Sequence, residues 1–319
     1  MVQPTRHGDN VLTATLDRLH ELYRENRVRQ GKLSSIAIKP RWIAINSSRD
    51  ECGIATNFTG TNSFYGTDGQ KLIPYLHSCI GKPLFDLAET GIASQDLLKR
   101  AIGIAALSAL SQKFLGCNGI RKRGYLSECW KTNDEFVQNY PAISHIVNLD
   151  EIVAVTGYGN QISALHTWCR ELHVINLNFP ETFETITIDK ENYRLPNNIV
   201  YHTEPGSEKI FGSADIVLLS TSTLVDNSFS RLLSVAKNAR LVGIYGTGAS
   251  LIPDAFFDAG VDLFSSFRIV DPVTFSNGMK NDYDMEYSMK NTQKQYLMMR
   301  PQADIRGSPI AAFLRHEDT

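Results

Sequence analysis

Apolar positions along the first third of the chain fall into two rhythms. After Asn10, a plausible helix cap, Val11, Leu12, Leu16, Leu19 and Leu22 recur at helical spacing over residues 10 to 30. The segments "IAIKPRWIAINSS" and "CGIATNFTGTNSFYG" then read as β-like, rich in Gly, Thr and Asn. From Ser94 to Leu115, "SQDLLKRAIGIAALSALSQKFL" predicts a strong helix capped by Ser94, with a small-residue centre suited to close packing on a sheet. A strand pair with helices makes a first α+β domain, placed at residues 1–133. A polar, basic stretch (118–133) and a further helical segment, "DEFVQNYPAISHIVN", lead out of it.

From Glu151 the pattern changes to strand, helix, strand. "EIVAVTG", "LHVINLN", "NIVYHT", "ADIVLLSTST", "ARLVGIYGTG" and "DLFSSFRIVDP" are near-continuous apolar runs closed by polar or glycine residues. "SFSRLLSVAKNA" and "IPDAFFDAG" fit between them as helices. Apolar strands joined in this way imply a parallel sheet covered on both faces, in an α/β second domain over residues 134–276. Ligands of such sheets sit at the carboxyl ends of the strands. The remainder, 277–319, is polar and poorly periodic, holds five of the six methionines, and reads as a C-terminal arm.

Composition narrows the function classes. A chain of 319 residues that is 42% hydrophobic can bury two modest cores. With 32 basic and 34 acidic residues it shows no footprint for nucleic acid, and "RKRG" at 121–124 reads as a solvated turn. No apolar run reaches the ~18 residues of a membrane span, and the polar N-terminus lacks a signal peptide's apolar core. Five scattered cysteines without a CxxC pair fit reduced thiols in the cytoplasm.

Candidate chemistry gathers at the predicted strand ends. In "TGYGNQ", Gly157 and Gly159 permit a sharp turn and close backbone approach, with Asn160 and Gln161 at the helix start behind them. A dinucleotide fingerprint would place a small residue where Ile162 stands, and an acid where the next strand offers Asn176 and Asn178. The turn is either a ligand cradle without those two features or a plain tight turn. In "LLSTSTLVDNS", Ser220, Thr221, Ser222 and Thr223 follow an aliphatic strand. Helix capping needs one hydroxyl, so four in a row point to a binding loop. Gly246 and Thr247 of "YGTGAS" repeat the arrangement. Tyr158, between two turn glycines, offers an aromatic face to a base or a cation, whereas Tyr245 suits core packing. In "HTWCRELH", His166, Cys169 and His173 suggest metal, but the strand expected from Leu172 swings His173 away from any shared helical face. No metal is expected to be required.

Several of these segments together resemble one family. "CGIATNF", "LLKRAIGIAALSAL", "SADIVLLSTSTLVDNSFSRLL", "GTGASLIPDAFFDAGVD" and "RIVDP", in that order, are similar to the DUF364 proteins with a DUF4213 domain in front, a group named for heavy-metal chelation. The resemblance implies a Rossmann-like domain preceded by a smaller, enolase-N-terminal-like α+β domain, commonly in homodimers. Asn176 or Asn178 stands where family members carry a strand-ending acid, and Ser108 where many carry Asn. Some members of the group look like enzymes that cyclise S-adenosylmethionine to azetidine-2-carboxylate. On that resemblance S-adenosylmethionine is the substrate, held between Asn57 to Asn62 of the first domain and Ser220 to Thr223. Tyr158 or Trp42 would face the sulfonium, and Ser222 and Thr223 would act at the reacting amino-acid end. The alternatives are a metal- or metallophore-binding protein and a methyltransferase.

Overall fold

The computed structural model describes residues 8–39, 42–57, 69–131, 146–157, 165–175, 185–188, 191–194, 197–202, 206–246, 250–280, 292–301 and 303. Helix α1 (Gly8–Glu25) opens the chain, starting ahead of the expected Asn10 cap. Its stripe of Val11, Leu12, Leu16, Leu19 and Leu22 is buried throughout. Strands β1 (Leu33–Ile38), β2 (Trp42–Ser47) and β3 (Cys52–Thr56) form a three-stranded antiparallel sheet in that order. Helices α2 (Gly69–Cys79), α3 (Leu84–Ile92) and α4 (Leu97–Ser111) follow.

The small residues of α4 have the role their pattern suggested. A side chain at Gly53 of β3 would lie 2.0 Å from the Ala105 carbonyl, so only glycine lets the strand approach the helix so closely. Ser108 Oγ accepts the Ile54 N–H at 3.3 Å. The cap of α4 is Asp96 rather than Ser94. The Asp96 carboxylate accepts Lys99 N–H at 3.0 Å, while Ser94 Oγ accepts from Asp96 N one step earlier.

Helix α5 (Cys117–Lys122) and strand β4 (Leu126–Lys131) lead to the main sheet. That sheet is built from β4, β5 (Ile152–Thr156), β6 (Glu171–Ile175), β9 (Ile199–His202), β10 (Ile216–Ser220), β11 (Leu241–Tyr245), β12 (Leu263–Ile269) and β13 (Gln293–Met299). Strands β7 (Thr185–Ile188) and β8 (Glu191–Arg194) pair separately as a two-stranded antiparallel sheet. The eight strands run in the order β4-β13-β12-β11-β10-β5-β6-β9. The six from β9 to β12 are parallel, and β13 and β4 add antiparallel to one side. The protein is therefore a mixed α/β fold with a large, mostly parallel sheet and a small antiparallel sheet in its N-terminal region. The sheet takes in β4, from residues assigned by sequence to the first domain, and β13, from the residues read as an arm.

Helices α6 (Ser222–Val225), α7 (Phe229–Val235), α8 (Asp254–Asp258) and α9 (Pro272–Lys280) complete the described elements. Strands β10 and β11 are buried on both faces, as a covered parallel sheet requires. One hydrophobic cluster runs from α1, α3 and α4 onto Ala154, Val217, Leu219 and Ile244 of the sheet. The opposite face, with Val153, Val155, Leu172, Val174 and Leu218, packs against Ile146, Val147, Leu165 and Cys169. No helix among the described residues is long and apolar enough to cross a membrane. The helical segment expected from Asp134 onward lies outside the described residues up to 145.

Candidate functional site

The order of strands places the site. From β5 the chain moves outward through β6 and β9. It then returns to β10, beside β5 on the other side, and moves outward again through β11 and β12. Strand order therefore reverses between β5 and β10. At such a reversal the connections leave in opposite directions and open a crevice at the carboxyl ends. Those ends are Thr156–Gly157 and Ser220–Thr221, with Tyr245–Gly246 next to them.

Short polar contacts tie the three ends together. Ser220 N–H donates to Thr156 Oγ1 at 2.6 Å, and Tyr245 Oη donates to the Thr156 carbonyl at 2.5 Å. Thr221 N–H donates to the Tyr245 carbonyl at 2.9 Å. Gly246 has φ +123°, and a side chain there would meet Thr221 Oγ1 at 2.9 Å, so both conformation and proximity call for glycine. Gly157, at φ +76°, would bring a Cβ to 3.6 Å from Ser220 Cβ. Burial raises the Tyr245 hydroxyl well above its ordinary pKa, so it remains a proton donor at neutral pH.

The hydroxyl run divides in two. Thr221 and Thr223 are buried, and Thr223 Oγ1 donates back to the Ser220 carbonyl at 2.7 Å. Ser220 and Ser222 are half-buried, and Ser222 Oγ lies 3.0 Å from Ser220 Oγ. Part of the run thus shapes its own turn, and the two serines are its accessible hydroxyls. The helix that follows, α6, packs on β3 and α4 of the N-terminal region. There Arg100 of α4, almost fully buried, donates to the Leu224 carbonyl and Asn227 Oδ1, both at 2.8 Å, and to the Ile92 carbonyl at 2.7 Å. A cation at a helix carboxyl terminus satisfies its orphan carbonyls and its dipole together.

The structure brings together Gly157, Ser220, Thr221, Ser222, Thr223 and Gly246 of the expected site. Asn57 ends the strand that α6 packs on, but its Nδ2 donates to the Lys39 carbonyl at 2.5 Å. Trp42 is packed into a cluster with Ile269, Phe275 and Met279. Tyr158, Gly159, Asn160, Gln161, Asn62, Asn176, Asn178 and Thr247 lie outside the described residues. The sequence reading missed Thr156, the hydroxyl of Tyr245 and Arg100. A Thr ending one apolar strand and an Arg inside a small-residue helix are the signals each leaves.

The "HTWCRELH" stretch forms a turn after residue 165 and then β6, so His166 and Cys169 share no helical face. Burial pushes the Cys169 thiol up to about 12 and lowers the His166 imidazole. His173 faces His202 instead, on the neighbouring strand. Among the described residues no group of three His, Cys, Asp or Glu side chains is placed to hold a metal ion. A cleft of about 1220 Å³ opens at the other end of the sheet and is lined by Arg18, Arg123, Asp254, Asp262 and Arg300, among others. Opposite charges in it face one another. Arg123 Nε lies 3.3 Å from Asp254 Oδ1, and Arg300 pairs with Asp262. Strand order and polarity favour the carboxyl ends as the site.

Residues 151–298 match the DUF364 family model and residues 22–111 the DUF4213 model, both described as "Putative heavy-metal chelation". An uncharacterized protein of Methanocaldococcus jannaschii is 22% identical over 178 residues, 56% of this chain and 58% of that protein's length. The chain thus spans less than two thirds of that relative. Two crystal structures share the fold, both of proteins titled as having unknown function and from the DUF364 family. One, from Desulfitobacterium hafniense, has TM-score 0.58 and 19% identity, over 88% of this chain and 98% of that one. The other, from Pyrococcus horikoshii, has TM-score 0.59 and 16% identity, over 91% and 100%.

Proposed function

We propose that the protein binds a small molecule that carries a metal ion, in the crevice at the carboxyl ends of β5, β10 and β11. The observation that supports this reading is the stitched edge itself, where the half-buried hydroxyls of Ser220 and Ser222 are adaptable hydrogen-bond partners and, among the described residues, the bonds that join the three strand ends use no charged side chain. A metal complex arrives with most of its coordination supplied by its own carboxylates or hydroxyls. Its outer oxygens need donors and a shaped edge more than a set of protein ligands. The chelation description attached to both matching families points the same way.

Nickel citrate and ferric citrate are suitable probes, with native mass spectrometry as the readout. The reading predicts a one-to-one adduct whose mass includes both metal and citrate, weakened in a Ser220→Ala/Ser222→Ala variant. An adduct of equal strength in that variant would move binding away from this edge.

A second reading has S-adenosylmethionine as the ligand, and the uncharged edge supports it as well. In that cyclisation the substrate's amine attacks its own Cγ, the C–S bond breaks, and methylthioadenosine leaves while the new ring nitrogen loses a proton. The amine must be unprotonated, and hydroxyls and N–H groups can hold the carboxylate without adding an anion that would keep it charged. The protein's part is to fold the chain into a near-attack conformer. Incubation with S-adenosylmethionine separates the cases. Methylthioadenosine with azetidine-2-carboxylate supports cyclisation, S-adenosylhomocysteine supports methyl transfer, and unchanged substrate leaves the binding reading alone.

A further inference from the structure

One polar group on the sheet is unused by the crevice. Strands β6 and β9 are parallel neighbours, with His173 opposite Val200 and Ile175 opposite His202. Alternation along a strand puts positions 173 and 175 on one face, so His202, beside Ile175, lies on the same face as His173. The two rings are 5.1 Å apart between centroids, with planes 28° from parallel, and His173 Nδ1 is 2.9 Å from His202 Nε2. On the other side of the ring, His173 Nε2 is 3.5 Å from Glu171 Oε1.

We propose that His173 Nδ1 and His202 Nε2 are two cis ligands of a divalent transition-metal ion, with Glu171 orienting His173 from behind; the proposal rests on the reading that this protein handles metal ions. Only one proton can lie between two neutral imidazole nitrogens, and a cation can take its place. With metal–nitrogen bonds of about 2.05 Å, nitrogens held 2.9 Å apart subtend an angle of about 90° at the ion, each ring turning to aim its lone pair. That is the angle between neighbouring positions of a square or an octahedron, and it is tighter than tetrahedral. Imidazole donors in that geometry suit Cu²⁺ or Ni²⁺. The Glu171 carboxylate, 3.5 Å from the far nitrogen, has only to close by a few tenths of an ångström to hold the proton there and leave Nδ1 for the metal. Two protein ligands leave the remaining positions to water or to the oxygens of a carrier molecule. His202 ends β9, and Gly157 N–H bonds the carbonyl of its register partner Ile175 at 3.0 Å, so the pair flanks the crevice.

Copper titration of the full chain tests this, followed by electron paramagnetic resonance. The expected result is one Cu²⁺ per chain with superhyperfine splitting from two nitrogens. His173→Ala or His202→Ala should each weaken binding at least about tenfold and remove one nitrogen from the spectrum. Glu171→Gln should weaken it less and keep both nitrogens. Where an alanine variant does not fold, His173→Gln and His202→Asn take its place, with the same expectation. Equal copper affinity in wild type and His variants overturns the assignment and leaves metal handling standing. A copper–thiolate charge-transfer band also overturns it, by placing the ion at a cysteine. No copper bound by wild type overturns the histidine assignment, whereas the metal-complex reading fails only if the citrate complexes give no adduct either.

Discussion

The two ends of the parallel sheet have opposite chemistry. At the amino ends of the central strands, Glu151 precedes β5, Asp215 β10, Arg240 β11 and Asp262 β12. They bind each other and the neighbouring backbone. Arg240 forks onto Glu151, with Nη2 to Oε2 at 2.7 Å, and Asp262 pairs with Arg300 at the end of β13. Asp215 accepts Ile152 N–H at 2.8 Å, and Asp262 accepts Val242 N–H at 2.9 Å. At the carboxyl ends of β5, β10 and β11 the same job of joining strands falls to Thr156, Ser220 and Tyr245, without a charge. Ion pairs fix one edge, and hydroxyls leave the other able to exchange partners with a ligand.

The sharpest way to break this contrast is at the charged edge. Arg240→Ala leaves the buried Glu151 carboxylate without its guanidinium, and removes a bond to the Ile146 carbonyl at 3.0 Å. A loss of about 3 kcal/mol in unfolding free energy is expected, at the lower end for a broken buried pair. Ligand affinity of the folded protein should stay as it was, because the pair lies at the far end of the strands. Chemical denaturation beside a binding titration checks both halves, and a large affinity loss would show that the two ends are coupled.

Thr156→Val should have the next largest effect, and it should touch both properties. It removes the acceptor of Ser220 N–H without changing the volume of the side chain, at a cost of about 2 kcal/mol. It also frees the two strand ends to separate, so ligand binding should weaken together with stability. Thr156→Ser, which restores the oxygen, should recover most of both. If Thr156→Val lowers stability alone, the stitch is a structural link that ligand does not feel.

How much of this was legible in the sequence depended on range. The central strands β10 and β11 announce themselves because they are buried on both faces and so read as nearly unbroken apolar runs. Strand β13 does not, since it buries Gln293 and Gln295 among its apolar residues and looks like a polar tail. The hydroxyl run was visible as a local anomaly after "IVLL". Its stitch to Thr156 was not, because those residues are joined only by the strand order, 64 positions apart. Arg100 was hidden in the same way. Its partners Leu224 and Asn227 are more than 120 residues away, and the one near in sequence, the Ile92 carbonyl, is a backbone group that leaves no mark in the residue pattern.

A pair of double variants divides the hydroxyl run itself. Thr221→Val/Thr223→Val alters the two buried members, and removes the bond from Thr223 Oγ1 to the Ser220 carbonyl. About 1 kcal/mol of stability should go, with a smaller change in affinity. Ser220→Ala/Ser222→Ala alters the two half-buried members and should do the reverse, lowering ligand affinity about tenfold with stability nearly unchanged. Matching losses from both pairs would mean that the run acts as one structural turn.

The smallest expected effect is in pH dependence, and it again separates the ends. Burial alone would raise the Glu151 carboxyl, but hydrogen bonds from Arg240 and Asn148 and the charge of Arg240 outweigh it and hold the pKa below the ordinary value. A carboxylate whose pKa is depressed on folding contributes stability above its unfolded value, about 4.3, and that contribution is lost as pH falls through the folded value. Unfolding free energy should therefore drop on acidification below about pH 4.5. Glu151→Gln should flatten part of that slope, with a remainder from Asp271 and Glu208, whose carboxyls are shifted in the same direction. The ends of β5, β10 and β11 carry no carboxylate among the described residues, so affinity for a ligand that does not itself titrate should change little across the same range. A steep acid loss of affinity at constant ligand charge would reveal a carboxylate at the crevice, and the uncharged edge would no longer describe the site.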